Sequence, residues 1–256
     1  MIRAAVLMKQ VPASATLGLD PETGNLIRNN DTLINPADER ALNLALHLPE
    51  CEVSVFTMGP SQAVQLLQTA ACYNVKGLFH LCDRAFAGSD TYQTARTLHA
   101  ALERFGPFDL VLCGRRAVDG ETGQVGPELS ALLDVPLIAD AVQISVEADD
   151  VLVKTQNTQE ESVYRCPFPC VITVSEGAPA LRPASILGMR RAKNAIIHTV
   201  TCDDLGLTVS GLAGSPTRVK RTYPVQTASR KKERCTSQEE AAERLLSLLK
   251  GGASHA

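Results

Sequence analysis

The segment from Cys113 to Ser130 constrains the fold of this chain more than any other part of the sequence. It reads CGRRAVDGETGQVGPELS and overlaps the apolar run from Asp109 to Gly114. We predict a buried strand, a glycine-rich turn and a helix, which together present free backbone N–H groups and a positive dipole end to an anion. Glycine also lets the backbone approach a ligand closely. An ordinary strand-to-helix connection has the same spacing, so the segment alone leaves both readings open.

Strand-like and helical patterns alternate along the first half of the chain. Apolar runs predict strands at Ala4–Met8, Glu52–Met58, Gly77–Cys82 and Asp109–Cys113. Helices are predicted from Asn35, over Gln62–Cys72, after Asp90 and over Gln124–Leu133. This alternation predicts an α/β fold, a mostly parallel sheet with helices on both faces. Its ligands would bind at the carboxyl ends of the strands, which are Met8–Lys9, Met58–Gly59, Cys82–Asp83 and Gly114–Arg115.

The first predicted helix has a clear start signal in Asn35-Pro-Ala-Asp-Glu39. Asn35 is a suitable N-cap, and Pro36 occupies the first helical position. Asp38 and Glu39 fall in the first turn, where the helix dipole favours negative charge. Turn residues between Leu17 and Leu33 predict a surface hairpin before this helix.

The second half of the chain changes its pattern. Strands predicted between Leu137 and Val174 add partly antiparallel pieces to the same sheet, and a short basic helix follows over Ser185–Lys193. Beyond Asn194 we predict an extended arm and a last helix over Ser237–Lys250, capped by Ser237 and rich in leucine, which docks on this domain or on a partner. The predicted domains are residues 1–193 and a C-terminal arm with helix at 194–256.

Composition excludes several classes of protein. The chain has 256 residues, 45% of them hydrophobic, and a net charge of -3, which does not suggest a nucleic-acid-binding protein. No apolar run reaches the roughly 18 residues of a membrane-spanning helix. The N-terminus goes straight into a strand-like run, so we expect no signal peptide and a cytoplasmic location.

No catalytic or metal-binding motif is recognised in the sequence. The eight cysteines lack paired ligand spacing, and buried free thiols explain them better than disulfides or a metal. Cys166 and Cys170 flank Pro-Phe-Pro but have no partner histidines or second cysteine pair. A Walker lysine, G-x-S-x-G, H-E-x-x-H and G-x-G-x-x-G are all missing.

Four segments in the same order resemble the β-subunit of electron transfer flavoproteins, heterodimers that carry electrons between flavin dehydrogenases and downstream acceptors. They are Val6–Val11, Asn35–Glu39, Gly114–Gly126 and Ser185–Lys193. The resemblance covers roughly residues 1–225, and it favours the phosphate-loop reading of the glycine-rich segment. It implies a Rossmann-like, adenine-nucleotide-binding fold in an electron carrier that needs no general acid, base or nucleophile.

The resemblance also implies which residues do what. Predicted cofactor contacts are Leu7, Asn35, Pro36, Ala37, Asp38, Met58, Gly114, Arg115, Arg116, Ala117, Val118, Asp119, Gly120, Glu121, Thr122, Gly123, Gln124 and Val125. Asp38 or Asn35 would recognise polar edges of ribose or adenine, and Gly120 to Gln124 the phosphate. A flavin dehydrogenase would dock on Ile186, Leu187, Arg190, Arg191 and Lys193, with Ile186 or Leu187 entering a pocket of the partner and the basic residues steering an acidic surface. The arm would contact the α-subunit.

Two departures from the family pattern bear on the cofactor. Members that bind AMP often have an acidic, amide-rich loop, whereas Asp119–Pro127 here resembles the electron-bifurcating and the carnitine- or nitrogen-fixation-linked relatives. In the bifurcating relatives a second FAD replaces AMP, and glycine at 120 and 123 would make room for it. The sequence favours FAD and leaves AMP open. The second departure, Asn157-Thr-Gln159, affects only a hairpin turn.

Two other functions remain open at this stage. A nucleotide hydrolase of the ATP-pyrophosphatase type would need a catalytic lysine or a metal-binding acidic pair, for which only Arg115, Arg116, Asp119 and Glu121 are candidates. A nucleotide sensor of the stress-protein type would leave the docking segment and the arm without a purpose.

Overall fold

The computed structural model describes residues 1–13, 18–19, 26–27, 32–156, 160–220 and 234–251. The strands are β1 (Ile2–Leu7), β2 (Gln10–Pro12), β3 (Gly18–Leu19), β4 (Leu26–Ile27), β5 (Thr32–Ile34), β6 (Cys51–Met58), β7 (Gly77–Leu81), β8 (Leu110–Gly114), β9 (Leu137–Glu147), β10 (Asp150–Gln156), β11 (Glu161–Pro167), β12 (Cys170–Val174) and β13 (His198–Val200). The helices are α1 (Pro36–Leu46), α2 (Val64–Ala70), α3 (Thr91–Phe105), α4 (Val125–Leu133), α5 (Ile186–Ala192), α6 (Gly211–Gly214) and α7 (Gln238–Gly251).

Nine of the described strands form one sheet in the order β11-β10-β9-β12-β8-β1-β6-β7-β13. All neighbours from β9 to β13 in this order pair in parallel, and β9, β10 and β11 pair antiparallel. The predicted α/β class, with its mostly parallel sheet and antiparallel additions, is therefore confirmed.

The strand order reverses at β1. The chain leaves β1 through β6 and β7 on one side, and then crosses back to place β8 on the other side. Leu7, the last residue of β1, pairs with Phe56 of β6 and with Cys113 of β8. The crevice at such a reversal, outside the carboxyl ends of the strands, is where ligands bind in open α/β sheets.

Helices cover both faces of the sheet and bury two apolar layers. One layer places α1 and α2 on strand residues such as Val6 and Leu112, and the other places α3 and α4 on residues such as Leu7 and Val111. Because both faces are covered, the central strands are apolar along their length. This confirms the predicted placement of helices on both faces.

The hairpin predicted between residues 17 and 33 is present as paired strands. β3 pairs antiparallel with β4, and β2 pairs antiparallel with β5 through Val11 and Leu33. The turn at residues 20–24 lies outside the described residues, as does the turn at 157–159 between β10 and β11.

The first part of the predicted arm packs with the sheet. β13 extends the edge at β7, Leu212 donates its amide to the Ala87 carbonyl at 2.9 Å, and Asp90 accepts hydrogen bonds from both the amide and the hydroxyl of Thr217. Two compact units are formed by residues 1–220 and 221–256. Residues 194–220 thus belong with the sheet, while a functional division at residue 193 stays a prediction.

The second compact unit contains α7. Ser237 caps it, as predicted, because its hydroxyl accepts the Glu240 amide at 3.2 Å. Glu240 in turn accepts from the amide and hydroxyl of Thr236, a reciprocal cap that lowers the pKa of this glutamate. The side chains of Leu245, Leu246, Leu248 and Leu249 are more than half exposed.

All eight cysteines are free thiols, in agreement with the prediction. The expectation that they are buried is correct for Cys113, Cys166, Cys170 and Cys202, whereas Cys51, Cys72, Cys82 and Cys235 are only partly buried. No group of residues that could hold a metal ion occurs among the described residues. In the same part of the chain, no helix is long and apolar enough to cross a bilayer.

The central strand should carry much of the stability. Leu112 in β8 is fully buried, so we expect Leu112→Ala to lower the free energy of unfolding by about 2–5 kcal/mol through lost apolar burial and a residual cavity. Val163→Ala on the outer strand β11, where the side chain is 66% exposed, should cost less than about 1 kcal/mol. Urea unfolding of both variants measures the difference, and equal losses would contradict the assigned core.

Candidate functional site

The first turn of α1 joins the two strand ends at the reversal. Asp38 accepts the Lys9 amide at 2.8 Å, just after β1, and the Gly114 amide at 2.7 Å, at the end of β8. The side chain is buried, and burial raises the pKa of Asp38 to about 6 although its hydrogen bonds act in the opposite direction. Both carboxylate oxygens are therefore engaged by the backbone of the protein.

Asn35 does not cap α1 with its side chain, which corrects the prediction. The helix begins at Pro36 without a side-chain hydrogen bond from this N-cap. Instead, Asn35 Nδ2 donates to the Arg116 carbonyl at 3.0 Å, and Asn35 Oδ1 accepts the Val118 amide at 3.2 Å. Both polar ends of this buried amide therefore hold the loop that follows β8.

The loop from Arg115 to Gln124 connects β8 with the N-terminus of α4. Glu121 and Gly123 adopt positive φ values of 51° and 63°, which turn the chain back toward the helix. Within the described residues, the backbone amides of Gly120, Thr122, Gly123, Gln124 and Val125 donate no hydrogen bond to protein. A run of free N–H groups at a helix N-terminus can bind an anion.

Two ion pairs flank this loop. Lys9 Nζ lies 2.8 Å from Asp119 Oδ1 and links the exit of β1 to the loop, while Arg115 Nε lies 3.0 Å from Asp140 Oδ1. All four side chains are partly exposed, so each pair adds little stability. Their effect is on the position of the loop.

A polar pocket of about 160 Å³ opens at this edge of the sheet. It is lined by Ala37, Arg115, Arg116, Ser175 and Glu176. Two arginines and one glutamate line it, and the Arg115 guanidinium is paired with Asp140, so Arg116 is the positive charge of the lining that is left for an anionic ligand.

Two glycines let the elements around the loop approach closely. A Cβ on Gly114 would collide with Asp38 Oδ1 and Ala37, and one on Gly126 would collide with Thr173 of β12. Gly114 therefore permits the contact with α1, and Gly126 permits the first turn of α4 to lie against the sheet.

The predicted cofactor contacts lie along one edge of the sheet. Leu7, Asn35, Ala37 and Asp38 are buried there, and Pro36, Met58, Gly114, Ala117, Gly123 and Val125 are partly buried. The exposed members are Arg115, Arg116, Val118, Asp119, Gly120, Glu121, Thr122 and Gln124. Their contacts with a cofactor stay a prediction.

The predicted docking residues lie at the opposite edge. Ser185 caps α5 through the Gly188 amide at 3.0 Å, and Gly188 packs so closely on the Cys72 carbonyl, after α2, that a Cβ would collide with it. Ile186 and Leu187 are 71% and 68% exposed, and Arg190, Arg191 and Lys193 are exposed as well. The base of this segment is thus fixed while its apolar tip faces solvent.

Four residues of the site are missing from the predicted contacts: Lys9, and also Asp140, Ser175 and Glu176, which pair with Arg115 or line the pocket. Sequence patterns gave a signal only for Lys9. The ammonium of Lys9 pairs with Asp119, and its backbone amide donates a hydrogen bond to Asp38. A lysine directly after the first strand was a signal for it, since charged residues at strand ends of a parallel sheet lie near the ligand.

The fold and the loop at its reversal define a doubly wound α/β protein of the Rossmann-like class. The family profile described as "Electron transfer flavoprotein domain" matches residues 23–205. The chain belongs to the β-subunit family of electron transfer flavoproteins.

Similar proteins share most of their length with this chain. The electron transfer flavoprotein subunit beta of Thermoanaerobacterium thermosaccharolyticum is 38% identical over 224 residues, which cover 85% of this chain and 86% of that protein. The caffeyl-CoA reductase-Etf complex subunit CarD of Acetobacterium woodii is 35% identical and covers 87% of both chains. Protein FixA of Sinorhizobium fredii is 36% identical over 85% of this chain and 81% of its own.

The two loop glycines should differ in their tolerance of a side chain. Gly123→Ala places alanine at a φ of 63°, which costs about 1–2 kcal/mol. Gly120 has no atom within 4 Å of a Cβ and no positive φ, so Gly120→Ala should be neutral or slightly stabilising. Urea unfolding compares the two, and a larger loss for Gly120→Ala would contradict the loop conformation.

Proposed function

We propose that this chain is the β-subunit of a heterodimeric electron transfer flavoprotein, and that it binds an adenine nucleotide at the reversal of its sheet. The heterodimer would carry electrons from a flavin dehydrogenase of the acyl-CoA type to a downstream acceptor. The observation that carries the proposal is the set of free amides at Gly120 and at Thr122 to Val125, which lead into the N-terminus of α4.

The residues at this edge fit the adenine half of a dinucleotide. The free amides and the dipole of α4 suit a phosphate, and Arg116 of the pocket adds positive charge. The side chains of Asn35 and Asp38 support this edge, because they hold the loop and the strand ends in place. This protein therefore contributes binding, orientation and electrostatics, and a bound flavin would supply the redox chemistry.

We favour FAD over AMP as the ligand of this subunit. Gly120 faces open space and most of the loop is exposed, so a ligand larger than AMP meets no side chain there. The resemblance of the loop Asp119–Pro127 to that of the electron-bifurcating relatives supports an electron-bifurcating member of the family. This FAD would be the second flavin of the heterodimer, in addition to the flavin at the α-subunit.

The hydrolase alternative gains no support from the geometry. Asp119 pairs with Lys9, and Arg115 pairs with Asp140, so these two candidate groups are engaged with protein. A nucleotide sensor would still leave the exposed apolar tip of α5 unexplained. An electron carrier with a docking surface accounts for the loop at the carboxyl ends of the strands and also for the exposed tip of α5.

Partner binding would use the other edge and the C-terminal region. We propose that Ile186 or Leu187 inserts into the dehydrogenase while Arg190, Arg191 and Lys193 accelerate its approach through charge. The arm and helix of residues 194–256 would contact the α-subunit, and the leucines of α7 provide an apolar surface for it. A cytoplasmic location is part of the same proposal.

Cofactor content tests the proposed function directly. The chain is co-expressed with the α-subunit from the same organism, and the purified complex is analysed by absorption spectrum and by nucleotides released on denaturation. We expect two flavins per heterodimer. One flavin and one AMP per heterodimer would show that AMP, and not FAD, is the ligand of this subunit. ATP hydrolysis by the isolated chain without any flavin would overturn the carrier function.

The docking segment has a matched control in the same chain. Ile186→Ala should slow electron transfer from the dehydrogenase about tenfold without loss of nucleotide, because an exposed apolar anchor is removed. Val163→Ala removes an apolar side chain of similar exposure, at 66% against 71%, on β11, outside both α5 and the arm assigned to the α-subunit, and it should leave the rate unchanged. Equal rates for both variants would exclude Ile186 from docking.

A further inference from the structure

We call the exit of β1, the first turn of α1 and the loop after β8 the cradle. Among the described residues, Asp38 is the one carboxylate that connects all three parts. Its oxygens accept the amide of Lys9 and the amide of Gly114, and the nearby Asn35 side chain acts to lower its pKa. Asn35 in turn holds the loop at Arg116 and Val118. The side chain therefore fixes the distance between the exit of β1 and the start of the loop.

The protein keeps this carboxylate at a cost in stability. Burial raises the pKa of Asp38 to about 6, so the folded chain binds a proton that the unfolded chain has already released over the range from about pH 4 to pH 6. In this range stability falls as pH rises, and above it the ionised group remains unfavourable to folding. A neutral side chain of the same shape would avoid this cost.

Few other charges face Asp38. Lys9 on the exit of β1 favours the ionised form, and its ammonium is also paired with Asp119. On β8 the nearest titratable group is Cys113, whose pKa is raised to about 12 by burial and by Asp38, so this thiol stays neutral at the pH values considered. At the N-cap position before α1, its neighbour is the neutral amide of Asn35.

We infer that Asp38 is a positioning residue for the nucleotide, which holds the two strand ends at the spacing that the loop amides require and does not itself contact the ligand. The inference rests on the proposed function, because it assumes a nucleotide at this edge. It is an alternative to the expectation that Asp38 recognises ribose or adenine, and it is supported by the burial of this side chain and by the backbone amide that each oxygen accepts.

Two effects of the charge on ligand affinity oppose each other. The ionised carboxylate accepts two amides at once, whereas an asparagine would turn its NH₂ group toward one of these donors and lose that hydrogen bond. Repulsion between Asp38 and a bound phosphate acts in the other direction. We expect the hydrogen bonds to dominate, because they are direct contacts of 2.7 and 2.8 Å, while Lys9 and the dipole of α1 offset the negative charge.

The test compares wild type with Asp38→Asn, each as the complete heterodimer stripped of the nucleotide of this subunit. Affinities for AMP and for FAD are measured between pH 5 and pH 8. We expect Asp38→Asn to bind about tenfold more weakly at pH 8, the scale of one hydrogen bond to a charged group. The ratio of the two affinities should approach one at pH 5, where Asp38 is itself mostly protonated. Titration of the ligand phosphate cancels in this ratio.

Thermal stability supplies the readout that separates positioning from folding. As pH rises from 5 to 7, the melting temperature of wild type should fall relative to that of Asp38→Asn, because only wild type carries the buried charge. Weaker binding in a variant that gains relative stability cannot be explained by poor folding. Glu39→Gln makes the same change at the next residue of α1, which is half-buried, and should alter neither affinity nor its pH dependence.

The outcomes distinguish the inference from the proposed function. Equal affinities of wild type and Asp38→Asn at pH 8, tighter binding by Asp38→Asn, or an affinity ratio that is the same at every pH would overturn the positioning role while leaving nucleotide binding intact. A wild-type complex that binds neither AMP nor FAD in this subunit at any pH would overturn the proposed function, and the inference with it.

Discussion

The parallel pairing of β1 with β8 is the contact on which the rest of the structure depends. It brings together strand ends that are far apart in the chain, and it creates the only place where the loop after β8 can meet the first turn of α1 within the described residues. Asn35 and Asp38 then connect this turn to the loop and to both strands. Local sequence forms each piece, but the pairing decides that they become one cradle.

The length of the strands separates the proposed nucleotide site from the proposed docking surface. The loop of free amides lies at the carboxyl ends of the strands, while α5 is anchored on the Cys72 carbonyl at the other end. A change in the docking helix therefore acts on a surface that shares no hydrogen bond with the cradle in the described residues. Parallel strands of five or six residues suffice to keep the proposed cofactor site and the proposed docking surface apart.

Much of the fold could be predicted from the sequence because its signals are local. Apolar runs bounded by turn residues located the strands of the sheet, and Pro36 and Ser185 marked helix starts. The glycine-rich segment located the loop, since free amides at a strand-to-helix junction follow from the chain itself. The resemblance of four segments to one family then indicated its type of ligand.

The remaining features depend on contacts between distant parts of the chain. Asn35 has the composition of a helix cap, and only the presence of the loop beside it directs its amide to Arg116 and Val118. Gly120 and Gly123 are alike in sequence, yet one faces open space and the other needs a positive φ. Lys9 and Asp119 are 110 positions apart in the chain, and local sequence patterns do not predict an ion pair between residues so far apart.

These separations also order events during synthesis. Arg116 follows Asn35 by 81 positions and Gly114 follows Asp38 by 76, so the first turn of α1 emerges from the ribosome well before its partners. Until β8 arrives, a polar amide and a carboxylate destined for burial remain in water, and a nascent chain has no half-formed cradle to offer a nucleotide. The proposed nucleotide site is therefore complete only after β8 has paired with β1.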